Sequence, residues 1–141
     1  MKPTTSKRYP RFILLDDDAC VLMMTEKIIR KYFWWSKIIT FSASKEAIEF
    51  MASEDFAVDD TDTVFLTDLN MPEMDGFAVL DQMGDALKKL GDRLHIFVMS
   101  SATCQDEIRK ALSYSYVIGF LQKPFSNDKM EHIISCIQYP L

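Results

Sequence analysis

Val64-Phe65-Leu66-Thr67-Asp68-Leu69-Asn70-Met71-Pro72-Glu73-Met74-Asp75-Gly76 carries an apolar run into an aspartate and then into a segment dense in turn residues. The run from Val64 to Thr67 is too short for a helix and suits a buried strand that stops at the charge of Asp68. Asn70 to Gly76 then breaks regular structure. A helix is expected beyond it, with Phe77, Leu80 and Leu87 on its inner face.

The same arrangement recurs in both directions. Arg11 to Leu15 is an apolar strand that stops at Asp16-Asp17-Asp18, and Ile38 to Phe41 is a second short strand. Ile96 to Met99 ends in Ser100-Ser101, and Val117 to Leu121 precedes Lys123. Helical spacing separates them. Val21, Met24, Ile28 and Ile29 mark a helix from Ala19 to about Phe33. Ser42 or Ser44 is placed to cap another through Ala47, Ile48 and Met51. Asp106 to Tyr114 and Asn127 to Ile137 complete the set, and Glu54 to Thr63 reads as an acidic loop. Short strands alternating with helices imply an α/β fold: an open, doubly wound, five-stranded parallel sheet with helices on both faces. The 141 residues are one domain's length, with residues 1–10 as a polar tail and 11–141 as the domain.

A net charge of −5 makes the chain a poor non-specific binder of nucleic acid or anionic membrane. No 18-residue apolar run predicts a transmembrane helix, and Met1 to Arg11 lacks the apolar core of a secretory signal. Cys20, Cys104 and Cys136 are scattered singly, with neither a disulfide framework nor metal-ligand spacing, so cytoplasm is the expected compartment.

Ligands of open α/β sheets bind at the carboxyl ends of strands. Asp16, Asp17, Asp68, Ser100 and Lys123 all fall at such ends and are expected to meet. Three carboxylates there repel one another. Three negative charges and one lysine leave −2, which one Mg²⁺ would neutralise through the hard oxygen ligands it prefers. Such a site suits transfer of a phosphoryl group to Asp68 as nucleophile, with metal and ammonium offsetting charge on the phosphoryl oxygens. The Ser100 hydroxyl could then hydrogen-bond the new group.

Four segments carry a resemblance. Phe12-Ile-Leu-Leu-Asp16-Asp17-Asp18, Phe65-Leu-Thr-Asp68-Leu-Asn-Met-Pro72-Glu-Met-Asp-Gly76, Phe97-Val-Met-Ser100-Ser-Ala102 and Phe120-Leu-Gln-Lys123-Pro124-Phe125 resemble, in order, the segments of a response-regulator receiver domain. The likeness runs from Arg11 to Tyr139. It implies a flavodoxin-like (βα)5 fold and roles residue by residue. Asp17, Asp68 and the Asn70 backbone carbonyl would ligate Mg²⁺, with Asp16 acting partly through water. Asp68 would be the phospho-acceptor and Lys123 would contact the phosphoryl group. Ser100 and Phe120 would form the switch pair, and Lys123-Pro124 would be cis. Ser100 stands where threonine is common, and Phe120 lacks the hydroxyl of the tyrosine often found there.

Structural roles account for other conspicuous residues. Asp18 is placed as the N-cap of the first helix, not a further ligand. Gly76 serves the turn before a helix, since no glycine-rich phosphate loop exists. Tyr32-Phe33-Trp34-Trp35 reads as a helix end burying aromatics, with a partner surface as the other reading. The nine methionines read as core filler. His95 and His132 read as surface or strand-edge residues, and Cys104 lies near the site without a redox pattern.

The expected function is a signalling switch in a two-component or phosphorelay system. A histidine kinase or phosphotransfer protein would phosphorylate Asp68 and so change binding of a downstream partner that the sequence does not name. The chain closes soon after its last helix, so no output domain is expected. Two other classes compete. Asp16-x-Asp18 has the form of a haloacid-dehalogenase phosphatase, but Cys20 and the Lys123-Pro-Phe-Ser segment depart from that pattern. A phosphorylation-independent interaction module is disfavoured by the complete acidic set.

Overall fold

The computed structural model describes residues 9–58, 61–101 and 103–138. Most of the expected tail, part of the 54–63 segment, and Ala102 and Tyr139 of the resemblance lie outside the described residues.

Five strands form one sheet: β1 (Arg11–Leu15), β2 (Ile38–Phe41), β3 (Thr63–Thr67), β4 (Leu94–Ser100) and β5 (Val117–Gln122), in the order β2-β1-β3-β4-β5. Every pairing is parallel. Central strands β1 and β3 are buried at every position, which is why they read as unbroken apolar runs. Alternate side chains divide between two cores. Ile13, Leu15, Phe65, Ile96 and Val98 face one side, while Phe12, Leu14, Val64, Leu66, Phe97 and Met99 face the other. The first core is closed by α2 (Ser44–Ala52), α3 (Glu54–Val58), α4 (Gly76–Asp81), α5 (Gly84–Leu90) and α6 (Gln105–Leu112). The second is closed by α1 (Ala19–Tyr32) and α7 (Asn127–Cys136). The expected doubly wound parallel sheet is the observed one.

Local structure departs from expectation in four places. The acidic stretch after Ser53 is not all loop, because α3 forms there to bury Phe56, 0 % exposed. The helix after Gly76 is two: Gln82 ends α4, and buried Met83 seals the core between α4 and α5. Neither Ser42 nor Ser44 caps α2. Ala43 holds the N-cap, and Ser44 lies buried inside the first turn with its hydroxyl donating to the Met74 carbonyl at 2.8 Å. Finally, β4 begins at Leu94, two residues before the expected start at Ile96, and closes at Ser100 as expected.

The aromatic stretch divides in two. Phe33 is buried against Tyr9 and Phe12, whereas Trp34 and Trp35 are each nearly half exposed and meet edge-to-face at 4.8 Å. The reading of a wholly buried helix end therefore holds for Phe33 and fails for the tryptophans. Met51, Met83, Met99 and Met130 are core residues, but Met23 and Met24 stand exposed on α1.

Candidate functional site

The chain leaves β1 for β2 on one side and later returns as β3 on the other, so a crevice opens between the ends of β1 and β3. Leu15 and Thr67 are register partners, and the Asp68 amide donates to the Leu15 carbonyl at 3.0 Å. Asp16 and Asp68 are thereby set side by side one residue further on. Both are nearly fully buried, while Asp17 is exposed. One carboxylate oxygen from each of Asp16, Asp17 and Asp68 lies within 4.8 Å of the others.

Lys123 arrives from the far edge. Ser100 and Gln122 are the last register pair of β4 and β5, and the Lys123 amide donates to the Ser100 carbonyl at 2.9 Å. The Lys123-Pro124 bond is cis, as expected. The Lys123 ammonium reaches Asp16 Oδ2 at 2.6 Å and Asp68 Oδ2 at 3.2 Å.

Backbone donors orient the carboxylates. The Asp18 amide donates to Asp16 Oδ1 at 2.9 Å. The amides of Leu69 and Asn70 donate to Asp68 Oδ1 at 2.8 and 3.3 Å. Those bonds leave Asp68 Oδ2 as the oxygen directed at the ammonium. Burial pushes the Asp68 carboxyl above its ordinary pKa, the neighbouring Asp16 charge adds to this, and Lys123 opposes it. Burial works against the Lys123 charge. Asp16 and Asp68 more than offset it, so the ammonium is held above its usual value.

The group is imbalanced: one ammonium faces three carboxylates. Asp16 Oδ2 is buried without a directed hydrogen bond among the described residues, and its 2.6 Å contact with Lys123 is a charge contact of poor hydrogen-bond geometry. An all-oxygen cluster with spare lone pairs is the donor set that a hard divalent cation takes. The residues fit such an ion.

Ser100 is fully buried, and the Asn70 side-chain amide lies 3.5 Å from its hydroxyl. Phe120, paired in register with Val98, is half-buried on the α2–α6 side of the sheet. The geometry thus brings Asp16, Asp17, Asp68 and Lys123 into one cluster and sets Ser100 and Asn70 at its border. Asp18 stands apart as expected, its carboxylate capping α1 by accepting from the amides of Cys20 and Val21. That duty disfavours the D-x-D phosphatase reading.

Gly76 has a role that the turn reading understates. Its amide donates to the Leu69 carbonyl at 2.9 Å, and a Cβ there would meet the Asp68 carbonyl oxygen at 2.2 Å. The start of α4 thus lies directly on the backbone of Asp68. Asp75 caps that helix, accepting from the Ala78 amide at 2.9 Å, and the Asp75-Gly76 pair is the sequence signal of the close approach. Cys104 occupies the N-cap position of α6 without a side-chain bond to it. His95 pairs with Asp62 at 3.4 Å and His132 lies 3.5 Å from the Cys136 sulfur. Neither joins a metal-ligand group among the described residues.

Comparison with known proteins matches this architecture. The family model described as the response regulator receiver domain matches residues 12–135. The chain therefore belongs to the response-regulator receiver family. It is 30% identical over 123 residues to Two-component response regulator ARR11 of Arabidopsis thaliana, spanning 87% of this chain and 21% of that protein. It is 23% identical to Probable methanogenesis regulatory protein FilR2 of Methanothrix harundinacea, covering 89% of this chain and 79% of that one. The chain thus spans about a fifth of the plant regulators it matches. The crystal structure of a response regulator receiver protein from Dyadobacter fermentans is 27% identical with a TM-score of 0.78, covering 90% of this chain and 96% of that one. A two-component response regulator from Cytophaga hutchinsonii shares the fold at 19% identity, TM-score 0.80, covering 93% and 98%.

Proposed function

We propose that the chain is a Mg²⁺-dependent phospho-acceptor switch in which Asp68 takes a phosphoryl group from the histidine of a kinase or phosphotransfer protein. Residues 11–141 act as the receiver unit, and the phosphorylated state changes binding of a separate protein partner. The observation that carries this reading is the cluster itself: a buried, backbone-oriented Asp68 with Lys123 at 3.2 Å and two further carboxylates beside it.

Asp16, Asp17, Asp68 and the Asn70 carbonyl would hold the metal, which when bound would offset charge on the transferring phosphoryl oxygens. Asp68 Oδ2 attacks phosphorus as the P–N bond to the donor imidazole breaks, and the departing ring keeps the electron pair and is reprotonated. Lys123 meets a phosphoryl oxygen, exchanging one carboxylate partner for another anion. The Ser100 hydroxyl then approaches the phosphoryl group, vacating volume that the half-buried Phe120 ring can enter.

Incubation with acetyl phosphate and Mg²⁺ is expected to add the mass of one phosphoryl group, lost in Asp68→Asn and in the presence of EDTA. Equal labelling of Asp68→Asn would overturn the assignment of the acceptor. Partner capture that is identical with and without beryllofluoride would overturn the switch.

A further inference from the structure

We infer that the amino-terminal end of the sheet is a two-fold interface between copies of this chain, a basic aromatic corner on each meeting an acidic corner on the other. Because every strand is parallel, the segments that enter β2, β3 and β4 all lie at this end. Trp34, Trp35 and Lys37 stand at the entry to β2, the edge strand, and the last turns of α1 lead into them with Lys27 and Lys31. On the other side of β1, α3 carries Glu54, Asp55 and Val58 toward β3, and Asp92 lies before β4. From Lys27 to Lys37 the sequence has four cations and no acid; from Glu54 to Asp62 it has five acids and no base.

Both corners are exposed and held in place. Trp34 and Trp35 are 47% and 46% exposed, and the Arg30 guanidinium donates to the carbonyls of Trp34 and Ser36, which fixes the turn that carries the rings. Val58 is 77% exposed at the end of α3, a helix anchored where the Arg11 guanidinium donates to the Phe56 carbonyl. Rings presented from a fixed turn lose little freedom on association, and tryptophan is enriched among the residues that carry binding energy. Lys27, Lys31, Lys37, Glu54, Asp55 and Asp92 are exposed and join no ion pair among the described residues. Charge complementarity selects the occupant. A partner that covers the tryptophans must bring carboxylates, and one that covers Val58 must bring cations. A second copy turned about a two-fold axis supplies both at once, in two equal contacts. The Asp68 end lies a strand's length away, at roughly 3.3 Å for each residue of β1. Association is therefore independent of Asp68 and stands apart from the acceptor reading.

Sedimentation equilibrium of the full chain tests the interface. At ~100 µM protein in low salt the mass is expected to approach that of two chains, and dilution should return it to one. Raising the salt to ~0.5 M should weaken association about tenfold, because the exposed charges are then screened. Trp34→Ala combined with Trp35→Ala should weaken it about tenfold as well, with an unchanged far-UV spectrum. Lys31→Glu with Lys37→Glu makes both corners acidic, and Glu54→Lys with Asp55→Lys makes both basic. Each variant alone should remain a single chain at every concentration. Mixed in equal amounts, the two should pair as the wild type does, since both contacts are then restored. Asp68→Asn should associate like the wild type. A wild type that stays single, a mass that grows past two chains, folded variants that do not pair on mixing, or loss of association in Asp68→Asn would overturn the inference. Where lysines at positions 54 and 55 unfold α3, the tryptophan and Lys31/Lys37 variants decide it alone, and dimers that persist in either would overturn it.

Discussion

The two ends of the central strands bury charge in opposite ways. At the amino end, Arg11 is 1% exposed, and its guanidinium donates to the Thr63 hydroxyl at 3.0 Å and the Phe56 carbonyl at 2.9 Å. It also lies over the rings of Phe56 and Phe50, 4.9 and 5.9 Å from their centres. At the carboxyl end, Asp16 and Asp68 are buried almost as fully, but they share one ammonium, with the exposed Asp17 carboxylate beside them. The first arrangement spends dipoles and aromatic faces to hold one cation in place. The second leaves negative charge in excess, so that it favours an added cation or an altered proton count. One end is compensated from within the fold, and the other is held at a cost in like-charge repulsion.

Arg11→Ala should break the stabilising end most sharply. It opens a cavity and strands the polar groups it served, with an expected loss of about 4 kcal/mol in urea unfolding. Phosphoryl labelling per folded molecule should be unchanged. Gly76→Ala should cost about 3 kcal/mol, because its Cβ must displace the backbone carrying Asp68. Unlike Arg11→Ala, it should also slow labelling. Mg²⁺ at a hundredfold excess over its dissociation constant should stabilise the wild type by about 2.7 kcal/mol in thermal unfolding, and Asp68→Asn by much less.

The pH dependence sharpens the contrast further. The Asp68 carboxyl is raised in the folded state, first by burial and then by Asp16. Its contribution to stability is thus complete below the ordinary carboxylate value of about 4 and is lost as pH rises through the folded value. In EDTA, Asp68→Asn should gain a few degrees of melting temperature on the wild type as pH climbs from 4 toward 7. A gap that narrows over that range would show that Lys123 already compensates the site. Trp34→Ala, at an exposed position away from both charge clusters, should change stability by no more than about 0.5 kcal/mol.

Much of this was legible in the sequence, for specific reasons. β1 and β3 announce themselves because both faces are buried, which leaves uninterrupted apolar runs that stop at Asp16 and Asp68. The division of the helix after Gly76 was not legible, since Leu80, Leu87 and Leu90 keep one helical rhythm across the break at Gln82-Met83. Nor was α3, whose sequence is acidic and whose reason is one buried ring, Phe56. Ser44 was misread as a cap because its partner, the Met74 carbonyl, is 30 residues distant.

Asp68 shows where the boundary falls. Sequence by itself determined which residues end the strands, because strand length and burial are written in local apolar runs and in the charges that stop them. Tertiary structure alone decided that Lys123 bridges Asp16 and Asp68, that Gly76 must approach the Asp68 carbonyl, and that the Thr25 hydroxyl lies buried with no hydrogen-bond partner among the described residues. Those facts depend on strand order and helix docking. Both are set by contacts between segments far apart in the chain, which no local pattern records.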